Sequence, residues 1–168
     1  LSFSLQKNQI FCLLGHNGAG KTSTIRSMTS GSFESGEIQY TLDEKGQTRT
    51  YNLQSEQGRE HVRKNIGLCP QHDVLWNECT PYEHLRFFSL LKGISTHKVD
   101  EEVKNILAKI RLPIGDEHRA VGSFSGGNKR KVSLAMALVG NPQVVFLDEP
   151  TAGMDPSSRR GVWDVLQS

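Results

Sequence analysis

The chain has 168 residues, which is enough for one domain with a sizeable hydrophobic core. Its 20 lysine and arginine residues nearly balance its 18 aspartate and glutamate residues, so the surface as a whole is not that of a nucleic-acid-binding protein, and no nucleic-acid partner is expected. Three cysteines are an odd number, and Cys12 and Cys69 lie in apolar runs that predict buried strands, which favours a reduced, cytosolic compartment. No apolar run approaches the ~20 residues needed to span a bilayer.

The N-terminal part of the chain is expected to form two strands, a glycine-rich loop and a helix. Residues 1–6 alternate apolar and polar side chains, which suits a half-exposed strand, whereas residues 9–15 form an apolar run that suits a strand covered on both faces. The second strand leads into the glycine-rich segment at 15–22, and residues 21–28 can continue as a helix. Glycine and serine then predict a loop at 30–37.

A peripheral antiparallel hairpin and two further buried strands are predicted beyond this loop. Residues 37–53 alternate apolar and polar side chains on both sides of a turn at Gly46, which is typical of a hairpin. The apolar runs at 65–70 and 143–147 each predict a strand that is covered on both faces.

Helices are predicted between and after these strands. A capping box with proline at the first helical position opens a helix that Gly93 ends, and its residues are Thr80, Pro81 and Glu83. In the next helix, five apolar residues recur at the spacing of one helical face: Val99, Val103, Ile106, Leu107 and Ile110. Residues 80–112 are therefore a helical insert between strands. A third helix follows Ser125, and its apolar face is made by Val132, Ala135, Met136 and Val139.

The segment at 15–22 reads GHNGAGKT and satisfies the pattern G-x-x-x-x-G-K-[ST] between a predicted strand and a predicted helix. Its glycines let consecutive backbone N–H groups turn inward as a cradle for phosphate oxygens, and the helix N-terminus adds partial positive charge. Lys21 would hold the β- and γ-phosphates, and Thr22 would bind Mg²⁺. A glycine-rich turn without a ligand is the alternative.

Two carboxylates, Asp148 and Glu149, follow the apolar run at 143–147. Because ligands of open parallel sheets bind at the carboxyl ends of the strands, Asp148 can orient Mg²⁺ or its water shell, and Glu149 can accept a proton from an attacking water. The pair could instead cap a helix. Together with the glycine loop it predicts a nucleoside triphosphatase, a class in which P-loop folds also include kinases, GTPases and motor proteins.

A second glycine turn, at 125–127, opens the third helix. Ser125 is a good N-cap, and the two glycines expose the backbone N–H groups of the first turn, so this helix end is a second anion site. The basic residues at 129–131 oppose the helix macrodipole unless an anion offsets them. The alternative is a tight turn with a solvated basic face.

Four motifs, GHNGAGKT, CPQ, FSGGNKRK and VVFLDEPTAGMD, with a helical insert between the second and the third, resemble the nucleotide-binding domain of ATP-binding cassette (ABC) proteins. The resemblance covers essentially the whole chain, 1–168. It implies an α/β P-loop NTPase fold with a mainly parallel core sheet, a peripheral antiparallel β-hairpin subdomain and an α-helical subdomain. The core would comprise about 1–70 and 120–168 and the helical subdomain about 71–119, in a domain trimmed at both ends.

The resemblance also implies a role for each matching residue. The nucleotide would be bound by the Walker A loop and the serine after it, that is by Gly15, His16, Asn17, Gly18, Ala19, Gly20, Lys21, Thr22 and Ser23. Catalysis would involve Glu149 and Gln71, and Mg²⁺ would be held by Thr22, Gln71 and, through water, Asp148. ATP on a partner domain would contact the signature residues Ser125, Gly126, Gly127 and Asn128. Asp155 would lie in the D-loop, which crosses the same interface, so that two domains sandwich two ATP molecules.

Several segments are most similar to subfamily A of the transporters, whose members are mostly large membrane proteins that move lipids. This resemblance implies an ATPase that uses ATP and Mg²⁺ to power transport, with a second nucleotide-binding domain and transmembrane domains as partners. The transmembrane domains would dock on the helical subdomain, and the aromatic residues Trp76, Phe87 and Phe88 belong either to that surface or to the core. The chain would lie at the cytoplasmic face of a membrane, as a soluble part of a multi-pass membrane protein.

The chain departs from the family pattern at three places. Phe124 and Asn128 replace the leucine and glutamine of the usual LSGGQ, and no histidine follows Asp155, where the family has a switch histidine. The adenine-stacking aromatic residue of the family lies farther upstream, so Phe3 and Phe11 are assigned to the core. Weak hydrolysis by the fragment alone is therefore expected.

Two other functions share the same motifs. One is a soluble ABC ATPase that acts on ribosomes or DNA, and the other is a regulatory switch that binds ATP but hardly turns over. The histidines outside the glycine loop show no metal-ligand spacing and are assigned to the surface: His61, His72, His84, His97 and His118.

Overall fold

The computed structural model describes residues 1–152, 154 and 156–167. Within them the helices and strands are, in chain order, α1 (Lys21–Ser30), β1 (Gln39–Glu44), β2 (Gln47–Asn52), α2 (Glu56–Asn65), β3 (Ile66–Cys69), α3 (Pro81–Leu91), α4 (Thr96–Ile110), α5 (Gly126–Leu138), β4 (Val144–Leu147) and α6 (Pro156–Gln167). Short 3₁₀ turns at Asp116–His118 and Val121–Ser123 lead into α5. The mixture of helices with one parallel and one antiparallel sheet makes this an α/β fold.

The hairpin predicted around Gly46 is confirmed. Strands β1 and β2 pair antiparallel, with Gln39 opposite Asn52 and Glu44 opposite Gln47. The two turn residues, Lys45 and Gly46, have φ angles of 50° and 81°. Positive φ at both central residues is the requirement of a type I′ turn, whose twist matches that of the strands. The inner face of the hairpin packs in one apolar cluster with α1 and α2, formed by Tyr40, Leu42, Leu53 and Val62 among others.

The strands predicted at 65–70 and 143–147 form, but neither is covered on both faces, because Leu68 in β3 is 42% exposed and only Phe146 of β4 is buried. Strands β3 and β4 run parallel, from Ile66 opposite Val144 to Cys69 opposite Leu147. Gly67 allows α5 to approach this pair, because a Cβ atom at that position would lie 1.9 Å from the carbonyl oxygen of Ala137. The sequence predicts a mainly parallel core sheet. Among the described residues, only β3 and β4 pair in parallel.

The two strands predicted at 1–6 and 9–15 are wrong, because both segments are irregular. Ile10 and Leu14 are 81% and 88% exposed, and Cys12, which we expected to be buried, is exposed as well. Phe3 and Phe11, assigned to the core, are exposed and stack on each other with ring centroids 5.3 Å apart. An apolar run forms a strand only where a neighbouring strand supplies hydrogen bonds, and in the described residues each sheet contains only its two paired strands.

The helical insert follows the sequence closely. Thr80 Oγ1 accepts a hydrogen bond from the Glu83 amide at 3.2 Å, and a Glu83 carboxylate oxygen accepts one from the Thr80 amide at 2.8 Å, which completes the capping box. Helix α3 ends at Leu91, just before Gly93 with its φ of 82°. Helix α4 buries one face against α3 and α5, through Val99, Val103, Ile106 and Ile110.

His84 corrects one surface assignment. It is fully buried in α3, and its Nδ1 lies 2.7 Å from the carbonyl oxygen of Thr80. Since a carbonyl oxygen only accepts, Nδ1 carries the proton, and Nε2 accepts a hydrogen bond from the Trp76 amide at 2.9 Å. His84 therefore fixes the chain segment that leads into α3.

Candidate nucleotide-binding site

The glycine loop at 15–22 turns in a way that only glycine adopts easily. Gly18 and Gly20 have φ angles of 83° and 91°, in the left-handed region. A Cβ atom at Gly15 would lie 2.9 Å from Cβ of Ala19, so the start of the loop also leaves no room for a side chain. Gly20 is the N-cap of α1, so the loop passes directly into a helix N-terminus, where backbone N–H groups point outward. The loop has the form of an anion-binding cradle.

Lys21, the first residue of α1, folds back over this loop. Its Nζ donates hydrogen bonds to the carbonyl oxygens of Gly15 at 2.9 Å and His16 at 3.2 Å. The same nitrogen lies 3.8 Å from Glu149 Oε1. Thr22 and Ser23 follow in the first turn of α1, and both are exposed. A cationic group and two hydroxyl-bearing residues thus stand at the helix N-terminus.

The ends of β3 and β4 bring the other predicted site residues to the same edge of the sheet. Because Cys69 is paired with Leu147, Gln71 and Glu149 each follow two residues after a matched pair, and the Asp148 amide donates to the Cys69 carbonyl oxygen at 2.9 Å. Gln71 Nε2 donates a hydrogen bond to Glu149 Oε2 at 3.2 Å. The Asp148 side chain is buried at the strand end. Glu149 is therefore in contact with two other predicted site residues, Lys21 and Gln71.

Glu149 has an unusual backbone conformation. Its φ angle is 46°, in the left-handed region that residues other than glycine, asparagine and aspartate seldom adopt. Such a conformation costs about 1–3 kcal/mol and persists where the surrounding structure imposes it, which is common at functional sites. The turn is closed by the Ala152 amide, which donates to the Glu149 carbonyl oxygen at 3.0 Å.

The residues of this site fit a nucleoside triphosphate with Mg²⁺. Backbone N–H groups, a helix N-terminus and Lys21 suit anionic phosphate oxygens, and the oxygen atoms of Thr22, Gln71 and Asp148 are the hard ligands that Mg²⁺ prefers. In the described part of the chain, no group of three or more His, Cys, Asp and Glu side chains could hold a metal ion. Mg²⁺ is usually held by one or two protein groups together with substrate phosphates.

The predicted signature residues form the N-terminus of α5. Ser125 is its N-cap, with Oγ accepting from the Asn128 amide at 3.3 Å, as the sequence predicts. Ser125 and Gly126 are exposed, and a Cβ atom at Gly126 would meet nothing within 4 Å. This helix end is open to a ligand from outside the chain. The predicted D-loop residue, Asp155, lies outside the described residues.

One residue of the site was missed from the sequence. The sequence places Arg130 only in a basic stretch that needs an offsetting anion or faces solvent, but its side chain is buried and contacts the segments that follow β3 and β4. The pattern that reveals it is helical spacing, because Arg130 shares a face of α5 with the buried residues Ser133, Leu134 and Ala137.

These features are those of a P-loop NTPase domain, and the chain belongs to the ABC transporter family, whose profile matches residues 1–152. Among curated relatives, it is 43% identical over 169 residues to ABC transporter A family member 2 of Arabidopsis thaliana. It is 44% identical over 168 residues to Phospholipid-transporting ATPase ABCA3 of Homo sapiens, and 40% identical over 166 residues to ATP-binding cassette sub-family A member 2 of Homo sapiens. The relatives it resembles are thus members of subfamily A.

Each of these alignments covers 99% of this chain. The chain spans 16%, 9% and 6% of the length of the three relatives, respectively. Within the described residues, no helix has the length and apolar composition needed to cross a membrane.

Proposed function

We propose that this chain binds and hydrolyses ATP as a nucleotide-binding domain that powers transmembrane transport. The observation that carries the proposal is the contact of Lys21, Gln71 and Glu149 beside a glycine loop that opens a helix. A phosphate-binding cradle, a lysine and a carboxylate with an amide partner are the groups that phosphoryl transfer to water needs.

Each of these residues has a separate task in the proposed reaction. The loop amides and Lys21 bind and orient the phosphates, while Glu149 accepts the proton of the attacking water, and Gln71 orients that carboxylate through its hydrogen bond. Thr22, Gln71 and Asp148 would hold Mg²⁺, which when bound neutralises charge on the phosphates. Asp148, whose side chain is buried, would do so through water, as in the family this chain belongs to.

A second nucleotide-binding domain completes each site in this proposal. The exposed N-terminus of α5, with Ser125, Gly126, Gly127 and Asn128, would contact ATP held by the partner domain, and Asp155 would lie at the same interface. ATP would therefore drive dimerisation, and hydrolysis would reverse it.

The transport part of the proposal rests on the family and on one surface. Transmembrane domains would dock on a helical subdomain at about 71–119, where Val74, Trp76 and Phe87 are 68%, 47% and 45% exposed. Phospholipid transport is the activity named for one relative, so we propose a lipid as the transported substrate. The chain would then act at the cytoplasmic face of a membrane. Its parallel pair β3–β4 would belong to a mainly parallel core sheet at about 1–70 and 120–168.

The test is Glu149→Gln in the complete protein that contains this chain, reconstituted in phospholipid vesicles. We expect ATP hydrolysis to fall by about 100-fold or more, because the amide cannot accept the proton of water, while ATP still binds. The variant should also accumulate with ATP in a dimerised state, which crosslinking across the interface would detect.

Glu101→Gln is the matched control, since Glu101 is an exposed residue of α4, and it should hydrolyse ATP at the wild-type rate. Normal turnover by Glu149→Gln would contradict the assignment of the base. Hydrolysis by the wild-type protein without movement of a fluorescent phospholipid across the vesicle membrane would leave the ATPase in place and contradict the lipid substrate.

A further inference from the structure

Arg130 occupies an unusual position for an arginine. It lies in the second turn of α5, the helix whose N-terminus carries the signature residues, and only 5% of its surface is exposed. A buried guanidinium needs partners for its five N–H groups, because an unpaired buried charge is costly. The partners of Arg130 are almost all main-chain carbonyl oxygens.

The first group of partners belongs to the segment that follows β3. Arg130 Nη1 donates to the carbonyl oxygen of Pro70 at 2.6 Å and to that of Gln71 at 3.4 Å. The same nitrogen lies 3.0 Å from a carboxylate oxygen of Asp73, which balances the charge of the guanidinium.

The second group belongs to the segment that follows β4. Nη2 donates to the carbonyl oxygen of Asp148 at 3.0 Å and to that of Glu149 at 3.3 Å. Nε donates to the carbonyl oxygen of Pro150 at 2.9 Å. One planar group thus joins the two loops that hold the catalytic pair.

These contacts control the main chain at the two positions where orientation matters most. The side chains of Gln71 and Glu149 meet at 3.2 Å, and both backbone carbonyls contact the same guanidinium. Glu149 is also held at a φ of 46°, a conformation that needs support from its surroundings. The carbonyl contacts on both sides of Glu149 supply that support.

We infer that Arg130 is a positioning residue for ATP hydrolysis: it fixes the backbones of Gln71 and Glu149 so that their side chains meet. This rests on the proposed function, in which that pair acts on the attacking water. Arg130 acts through the main chain of these residues, since its hydrogen bonds go to their carbonyl oxygens. Because it belongs to α5, it also ties the geometry of the catalytic pair to the helix whose N-terminus would contact the partner's ATP.

Lysine is the informative replacement. It keeps the positive charge and most of the length, but its single nitrogen has three donors and cannot span two segments with a rigid fork. In Arg130→Lys the two loops lose their common partner while the site keeps its net charge. If Arg130 positions the two loops, Arg130→Lys should therefore turn over ATP more slowly than wild type although it keeps the positive charge.

The experiment compares Arg130→Lys with wild type in the complete protein, measuring kcat and KM for ATP and the thermal unfolding midpoint. We expect kcat to fall by about 10-fold or more, with KM within about threefold, because phosphate binding by Lys21 and the glycine loop is untouched. The matched control is Arg63→Lys on α2, where Arg63 is exposed, and its kinetics should equal those of wild type.

A second comparison separates positioning from general stability. In a Gln71→Ala background only the contacts of Arg130 with the Glu149 segment still serve catalysis, so Arg130→Lys should lower kcat by a clearly smaller factor there than in the wild-type background. If Arg130 only stabilised the fold, Arg130→Lys would lower kcat by the same factor in both backgrounds. It would also lower the unfolding midpoint together with ATP binding.

The outcomes distinguish the two proposals. A wild-type protein without ATP hydrolysis contradicts the proposed function itself. If the wild type hydrolyses ATP, then an unchanged kcat in Arg130→Lys, or an equal cost in both backgrounds, overturns the positioning role. If Arg130→Lys does not fold, Asp73→Asn replaces it in the experiment, because this change removes the charged partner of the guanidinium. A lowered kcat at unchanged KM would then support the positioning role, and an unchanged kcat would overturn it.

Discussion

The ammonium nitrogen of Lys21 lies 3.8 Å from Oε1 of Glu149, while the other carboxylate oxygen of Glu149 accepts a hydrogen bond from Gln71 at 3.2 Å. One carboxylate therefore contacts both the glycine-loop lysine and Gln71, two residues beyond the end of β3. Lys21 also donates to two loop carbonyls, so its position depends on the loop and on the strand end together. This arrangement links the phosphate-binding side of the proposed site to its hydrolytic side.

Lys21→Met should weaken ATP binding with little effect on the fold. Methionine keeps much of the side-chain length and loses the charge, and a hydrogen bond from a charged donor contributes about 1.5–3 kcal/mol. We expect the Kd for ATP to rise by roughly 10- to 100-fold, since each 1.4 kcal/mol is a factor of ten. Isothermal titration calorimetry with a non-hydrolysable ATP analogue measures this directly.

Lys104→Met is the control for this change, because Lys104 is an exposed residue of α4. Its affinity for the analogue should match that of wild type. Equal affinity in Lys21→Met and Lys104→Met would contradict the assignment of Lys21 to the phosphates.

The elements that the sequence predicts correctly are those whose signals are local. The capping box at Thr80 and Glu83, the Ser125 cap and the turn at Gly46 are each set by residues a few positions apart. The parallel strands β3 and β4 are short apolar runs that form because they find each other as partners.

The predictions fail for segments whose structure depends on contacts with other parts of the chain. Residues 9–15 are as apolar as β3 but pair with no strand in the described part of the chain. Helix α2 contains a single large apolar side chain, Val62, so no apolar face marks it in the sequence, and its start depends on the Ser55 cap. Arg130 and His84 look like surface residues by type, but both are buried: distant main-chain carbonyls satisfy Arg130, and main-chain groups of Thr80 and Trp76 satisfy His84.

Gly67→Ala should destabilise the protein although it adds a single methyl group. The new Cβ atom would lie 1.9 Å from the Ala137 carbonyl oxygen, and backbone cannot move aside as a flexible side chain can. We expect the free energy of unfolding to fall by at least about 2 kcal/mol, as for an overpacked core. Urea denaturation followed by circular dichroism measures the difference.

Gly126→Ala serves as the matched comparison for stability. Its Cβ atom would meet nothing within 4 Å, and alanine is a better helix former than glycine. Its free energy of unfolding should equal that of wild type or exceed it slightly. A loss as large as that of Gly67→Ala would show that the close approach of β3 and α5 is not the cause.

The three thiols should react in the order of their exposure. Cys12 is exposed, Cys79 is partly buried, and Cys69 is fully buried with Sγ 3.6 Å from Ser133 Oγ. Burial raises the pKa of the Cys69 thiol above its ordinary value, so the reactive thiolate forms there only at a higher pH than at an exposed cysteine. At pH 8, iodoacetamide should therefore modify Cys12 first and Cys69 only on unfolding, as peptide mass mapping over time would show.

The raised pKa of the Cys69 thiol also makes the stability of the folded protein depend on pH. Because the folded-state pKa of Cys69 is raised, its contribution to stability is present below the pKa of the unfolded thiol and declines as the pH rises through the folded value. Cys69→Ala should reduce this alkaline loss, and Cys12→Ala should leave it unchanged while it removes the fast phase of alkylation. Modification of Cys69 in the folded protein as fast as that of Cys12 would contradict the burial of β3 against α5 on which the position of Gln71 depends.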